Sequence, residues 1–434
     1  MRYDAGSFAL SVLCAATTMA MPVVPTNDVV CVQDPITKIV TVTYVLGDEN
    51  NQEPAIITLD FETNVTGTAE GPWVSIGAKN YRDLGGAANR LVQAGTNTVT
   101  WCPQKGWPNH AVSAAGFRAT VRVWTKDDPP DYLVIHLDEP YGQRFYTCED
   151  ALPGGIESDI YRRDHLVMRR IHAAGVTWRM GAPIDEVGRS GSLETPRFVT
   201  LTSDYYIGVF PFTLWQYCYV QRILPPTCTD EDGACALDTW SWNHARYGGA
   251  DNQPESGKVW PEDKSLVSGS ILYKMRDRFD LLFDYPTAAQ WEYACRAGTT
   301  TPRFDGSSCA YGWNTRWDSE YEDAAMDAYA WYAHNSTFGH KRVGMKKPNP
   351  WGLYDMYGLV YEFCLDWADP SPSNDPITDP IGPDTGTERI FCGSAWNGGV
   401  PFLRSAVRSK YLPNVTYAEH RLFGFRVAAP LMDP

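Results

Sequence analysis

Asp355 and Glu362 bracket a glycine in the run Asp355-Met-Tyr-Gly358-Leu-Val360-Tyr361-Glu362. A tight turn at Gly358 lets the carbonyls of Gly358 and Val360 face inward together with both acids. Mixed carboxylate and carbonyl oxygens are what Ca²⁺ selects, at about 2.3–2.6 Å. The spacing is therefore compatible with a calcium site on Asp355, Gly358, Val360 and Glu362, the alternative being two exposed acids near a turn. His334 and His340, six positions apart in a glycine-containing stretch, read as isolated surface histidines rather than metal ligands. The sequence contains no Ser-His-Asp order, phosphate-binding glycine loop or Gly-x-Ser-x-Gly elbow.

The eleven cysteines offer a second kind of chemistry. Cys228 and Cys235 enclose a short acidic loop that a disulfide closes without strain, and Cys31 with Cys102 is a candidate staple for the N-terminal part of the chain. The same residue type also serves as a small buried hydrophobe, which is the reading for most of the others. Export would favour bridges. Phe8 to Ala16 is a short apolar run followed by Thr18-Met-Ala20, so residues 1–21 read as a signal peptide and the protein as secreted, periplasmic or at the cell surface. No later run is long and apolar enough to cross a bilayer, so no transmembrane segment is expected.

These side chains need elements to hold them. With 434 residues and 44% hydrophobic content, the chain can build more than one core. Runs at 39–46, 55–61, 98–101, 117–124 and 132–137 are rich in β-branched and aromatic residues and are separated by Gly, Asn, Asp and Pro. They predict an immunoglobulin-like β-sandwich over residues 24–139. Residues 140–174 read as a linker, with a short helix over Ile160 to Ile171 that carries Arg162, Arg163, Arg169 and Arg170. Pro286 and Thr287 open a helix that Gly298 closes. A net charge of −15 argues against a nucleic-acid partner.

The order of several motifs carries further information. Trp178-Arg-Met-Gly181, Glu194-Thr-Pro-Arg-Phe198, Asp284-Tyr-Pro-Thr-Ala-Ala-Gln-Trp-Glu-Tyr-Ala-Cys-Arg-Ala-Gly298, Asn349-Pro-Trp-Gly-Leu-Tyr-Asp-Met356, Cys392-Gly-Ser-Ala-Trp396 and Gly424-Phe-Arg426 follow one another in this chain. In that order they resemble the formylglycine-generating enzymes, or sulfatase-modifying factors, whose fold is C-type-lectin-like. The resemblance implies an α+β domain of that kind over residues 175–431, with calcium at the four positions named above.

It also implies copper in the catalytic members, held by two cysteines after the Gly-Ser pair. Here the first of those positions reads Asn397, and no cysteine follows in Gly398 to Phe402. Copper is therefore not expected, because Cu(I) needs thiolate donors that an amide cannot replace. Ser394 is kept. Cys295 matches a family cysteine whose partner position reads Val427, so that bridge is not expected.

The expected function is a non-catalytic, lectin-like binding or surface protein. A protein, peptide or glycan ligand would meet Tyr361, Ser394, Trp396, Asn397, Phe402, Arg404 and Tyr411, together with the segment from Tyr411 to Arg421. Two alternatives stand beside it: a formylglycine-generating oxidase that matures sulfatases, and a structural surface protein that associates with its own kind.

Overall fold

The computed structural model describes residues 24, 29–47, 53–64, 72–110, 116–223, 270–336, 341–411 and 422–431. The signal-peptide reading, the Cys228–Cys235 bridge, His340 and residues 412–421 lie outside them.

The N-terminal part contains strands β1 (Val30–Gln33), β2 (Val40–Leu46), β3 (Ala55–Asn64), β4 (Trp73–Ser75), β5 (Gly85–Gly86), β6 (Arg90–Val92), β7 (Gly95–Trp101) and β8 (Phe117–Trp124). One sheet runs β1-β2-β7-β5, and the other places β4, β6 and β8 around β3. All pairings are antiparallel. Alternation drives the packing: β2 buries Val40, Val42, Tyr44 and Leu46 and leaves the residues between them partly exposed. Phe61 stacks on Trp101 at 4.6 Å and on Phe117 at 5.5 Å between the sheets. Two antiparallel sheets over one aromatic core are thus present.

The Cys31–Cys102 bridge is absent, and sheet order is the reason. Cys31 pairs with Val42 on β2, and Cys102 follows Trp101 of β7, which pairs with the opposite edge of β2. With β2 between them they are about two strand spacings apart, near 9–10 Å, too far for a disulfide. Both are free thiols.

Two further expectations are corrected by the next strands. β9 (Tyr132–His136), β10 (Gln143–Tyr146), β11 (His165–Ile171), β12 (Val176–Met180), β13 (Arg197–Leu201) and β14 (Tyr205–Gly208) follow. The run at 132–137 does not join the first sandwich. It lies inside a five-stranded sheet with order β10-β9-β11-β14, closed at its edge by a C-terminal strand. Residues 140–174 are likewise no linker, since they supply β10 and β11. The helix expected over Ile160 to Ile171 is one short 3₁₀ turn, Asp159–Arg162, followed by β11. Along β11, Leu166, Val167 and Met168 are all buried, because the strand is covered on both faces.

The remaining elements are β15 (Ala330–Trp331), β16 (Tyr357–Gly358), β17 (Tyr361–Trp367), β18 (Ile377–Thr378), β19 (Arg389–Cys392), β20 (Arg408–Tyr411), β21 (Phe423–Phe425) and β22 (Ala428–Pro430). β17, β19, β20 and β21 form a four-stranded sheet, β20-β19-β17-β21; β15 pairs with β16, β18 joins β12 and β13, and β22 edges the five-stranded sheet through β14. Helix α1 (Pro103–Gly106) is one turn in the first sandwich; α2 (Leu214–Gln221), α3 (Ile271–Phe279) and α4 (Ala288–Arg296) pack on the sheets. Thr287 caps α4 as expected, accepting from Gln290 N at 3.1 Å while the Gln290 side chain accepts from Thr287 N at 2.9 Å. The left-handed residue that ends the helix is Ala297, one position before Gly298.

His136 and His165 face each other across β9 and β11 with ring centroids 4.0 Å apart. Burial first, then the charges of His165 and Arg144, pull the His136 imidazole down to about 4. Its folded value lies below its unfolded one, so its contribution to stability is complete above about pH 6.5 and is lost as pH falls toward 4. Thermal melts should show a smaller loss of Tm between pH 7 and pH 4 for His136→Gln than for the wild type. Equal losses would remove His136 from this role.

Candidate functional site

Glu362 sits on β17 with both oxygens engaged. Arg426, just past β21, donates Nη2 to Oε1 at 2.8 Å and Nε to Oε2 at 3.0 Å, and the Trp291 indole donates to Oε2 at 2.7 Å. The same guanidinium donates to the carbonyls of Gly208, Val209 and Tyr354. Asp355 is also buried, and its Oδ2 accepts from Gly344 N at 2.6 Å. Burial pushes its carboxyl up to about 6; the Gly344 hydrogen bond and Arg426 oppose the rise, and Glu362 adds to it. Asp355 and Glu362 thus share one dry environment that contains Arg426.

The backbone between them curls. Asp355, Gly358 and Leu359 have φ of 56°, 75° and 65°, the left-handed region that L side chains rarely occupy. Gly358 is required as well by crowding, since a Cβ there would lie 2.0 Å from Trp331 O across the parallel β15–β16 pair. Among the described residues, no three His, Cys, Asp or Glu side chains converge as a metal cluster. Any cation here would draw on carbonyls as well as the two carboxylates.

The residues expected to meet a ligand divide into two groups. Ser394 is fully buried and its hydroxyl donates to Ala395 O at 3.2 Å. Phe402 is buried against Trp313 at 4.9 Å and Trp317 at 4.9 Å. Arg404 faces no opening: Nη1 meets Glu186 at 2.7 Å and Glu194 at 2.9 Å, and Nη2 meets Gly188 O and the other Glu194 oxygen. It is a structural ion pair. Trp396, Asn397 and Tyr411 keep partial exposure. Tyr361 is buried, with its ring 5.9 Å from Phe402. The Tyr361 hydroxyl and Asn397 Oδ1 are buried polar atoms without a hydrogen-bond partner among the described residues. Buried orphans of this kind mark a place where water or a ligand completes the bonding.

Sequence reasoning missed the aromatic pair beside them. Trp313 and Trp317 flank Arg316, whose guanidinium lies 5.3 Å and 5.9 Å from their rings. Trp317 is 56% exposed, unusual for the largest apolar side chain. The signal was legible as Trp313-Asn-Thr-Arg316-Trp317, a polar-aromatic run without strand or helix periodicity.

The nearest pair of thiols lies elsewhere. Cys364 and Cys392 are wholly buried, with sulfurs 3.5 Å apart across β17 and β19. Burial holds the Cys364 thiol well above its usual range, and the neighbouring Cys392 adds to this.

Residues 239–431 match the family model of the sulfatase-modifying factor enzyme 1-like domain. This part of the chain is similar to the sulfatase-modifying factor family. A formylglycine-generating enzyme of Thermomonospora curvata is 32% identical over 157 residues, covering 33% of this chain and 48% of that protein. The chaperone protein LppX of Paenibacillus barcinonensis is 27% identical over 233 residues, 49% of this chain and 75% of that one. A solved structure, Treponema denticola variable protein 1, aligns at 24% identity over 61% of this chain and 95% of its own, with a TM-score of 0.43. The chain spans about half the length of the curated formylglycine-generating enzymes it matches.

Within this domain, the two roles available to Arg404 predict different outcomes. Arg404→Leu strands Glu194 in the core and should cost about 3–5 kcal/mol in denaturant unfolding. A variant as stable as the wild type would return Arg404 to the ligand surface.

Proposed function

We propose that this chain is a binding protein built on the sulfatase-modifying-factor scaffold, not an oxidase. The observation that carries the reading is the state of the thiols. Copper(I) needs accessible thiolates. Asn397 offers an amide oxygen, while Cys364 on β17 and Cys392 on β19 are wholly buried, and burial disfavours the thiolate of Cys364. This donor set does not suit copper. Incubation with copper(I) and a Cys-x-Pro-x-Arg peptide in air should give no aldehyde product by mass; turnover would overturn the reading.

The surface at Trp313, Arg316, Trp317, Trp396 and Asn397 supports the binding role. The exposed Trp317 indole, with the half-buried Trp313 and Trp396, gives apolar stacking area, and Arg316 gives directional polar contacts. A peptide or glycan meets such a surface through the same two kinds of contact. Export of the protein, and a docking role for the immunoglobulin-like sandwich, complete the proposal.

Calcium fits the loop from Asp355 to Glu362. Two buried carboxylates lie in a dry site, where Glu362 is paired with Arg426 while Asp355 has a backbone amide and only the more distant charges of Arg426 and Arg162. Asp355, with the carbonyls of Gly358 and Val360, would hold the ion, and Glu362 would join it by releasing Arg426 and Trp291. Bound calcium would supply charge neutralisation and fix the curl of this loop. Calcium at a hundred times its Kd should raise unfolding stability by about 2.7 kcal/mol. The increment should vanish on chelation and in Asp355→Ala. An unchanged melt on adding calcium would exclude the site.

A further inference from the structure

A cavity of about 380 Å³ opens beside the 3₁₀ turn that carries Arg162. Its lining includes Arg162, Arg342, Lys346 and Lys347, against a single carboxylate, Glu157. In a chain of net charge −15, four cations around one hollow are a local inversion of the whole.

Arg162 is the fixed member. Its side chain is 3% exposed, stacked 4.4 Å over the Phe210 ring. Nε donates to Val343 O at 3.1 Å, and Nη1 to Ile156 O and Ser158 O at 3.1 and 3.2 Å. These carbonyls orient the guanidinium but do not neutralise it. The carboxylate next to Nη2 is Glu157 at 3.7 Å, past hydrogen-bonding distance and on a side chain that is 75% exposed. Gly344 leaves room for this arrangement, because a Cβ there would lie 2.5 Å from Arg162 Nη2.

The other cations stand around it. Arg342 pairs with Asp159 at the mouth, and Lys346 lies 4.0 Å over the Trp331 ring while donating to Asp327 O. Lys347 is exposed at the rim. Burial, and then the charge of Arg342, lower the Arg162 pKa against the opposing charges of Glu157 and Asp355, and an anion at Nη2 would offset the desolvation of the guanidinium.

We infer that this cavity binds the oxyanion of a small phosphate or sulfate ester, with Arg162 Nη2 as the buried anchor and Lys347 and Arg342 at the entrance. With Nε and Nη1 spent on carbonyls, Nη2 keeps its two N–H donors for an oxygen of such a group. The volume lies in the range of small-molecule sites, roughly 300–1,000 Å³, and accommodates an ester of monosaccharide size.

Calorimetric titration and thermal melts of the full chain test this with inorganic phosphate, inorganic sulfate, glucose 6-phosphate and glucose 6-sulfate at constant ionic strength. At least one oxyanion should bind and raise Tm where chloride does not, and the tighter ester tells which class the site takes. Lys347→Ala and Arg342→Gln should each weaken binding about tenfold, the scale of one charge-assisted hydrogen bond. Lys79→Ala, on the first sandwich, should leave it unchanged. Arg162→Gln should abolish binding wherever its melt shows a folded protein. Absence of binding by all four ligands would overturn the inference. So would equal losses in Lys347→Ala and Lys79→Ala, or loss of binding in chelator, which would assign the anion to a bound cation instead.

Discussion

The ion pair between Arg426 and Glu362 is the constraint on which the C-terminal fold turns. One guanidinium spends its donors on a carboxylate of β17, two carbonyls at the end of β14 and the carbonyl of Tyr354. Four segments far apart in sequence are therefore fixed to one planar group. The bond geometry of guanidinium leaves little latitude, so the parallel register of β17 with β21 and the approach of α4 through Trp291 follow together. Such a pair adds little net stability over an apolar substitute, but removing one member leaves a buried charge. Its effect is to specify a single arrangement of sheets.

The same logic repeats around it. Arg404 is closed by Glu186 and Glu194, and Glu292 on α4 takes Arg296 at one oxygen and Arg408 at the other. These are cores of compensated charge laid between apolar clusters. Asp355 differs, since its partners are a backbone amide and the shared field of Arg426. Arg162 differs in the opposite sign. Asp355 and Arg162 lie on either side of Gly344, whose nitrogen serves the carboxylate and whose missing side chain makes room for the guanidinium, and each offsets part of the other's charge without a direct ion pair. Ligand chemistry is expected where compensation stops, because a completed ion pair has no affinity left to offer.

Much of this was legible in the chain. The Gly424-Phe-Arg426 and Asp355–Glu362 motifs mark scaffold positions, and the capped helix over 288–296 follows from Thr287 and its neighbours. What failed did so for lack of pairing information. The run at 132–137 has the composition of the strands before it, and period-two alternation does not say which sheet a strand joins. Arg169 and Arg170 among apolar residues imitated a helix, whereas in β11 Arg170 folds back onto Asp128 and Asp204. Cys31 and Cys102 looked compatible until β2 lay between them. Net charge misled by averaging: −15 over the chain conceals four cations at one cavity.

The separation of scaffold from reaction has a physical basis. Each buried ion pair that fixes the sheets uses residues outside the segment from Ser394 to Phe402. Within that segment, Phe402 and Val400 contribute apolar burial, and Gly398 and Gly399 contribute close approach to neighbouring backbone and side-chain atoms. None of these roles requires a thiol at position 397. Asn397 is partly exposed and its oxygen goes unpaired, so exchange there leaves the core intact. A chain under no demand for copper chemistry can thus change this position without disturbing Arg426, Arg404 or Glu292. The fold can persist as a rigid support whatever its surface does, because the groups that fix the sheets lie outside this segment.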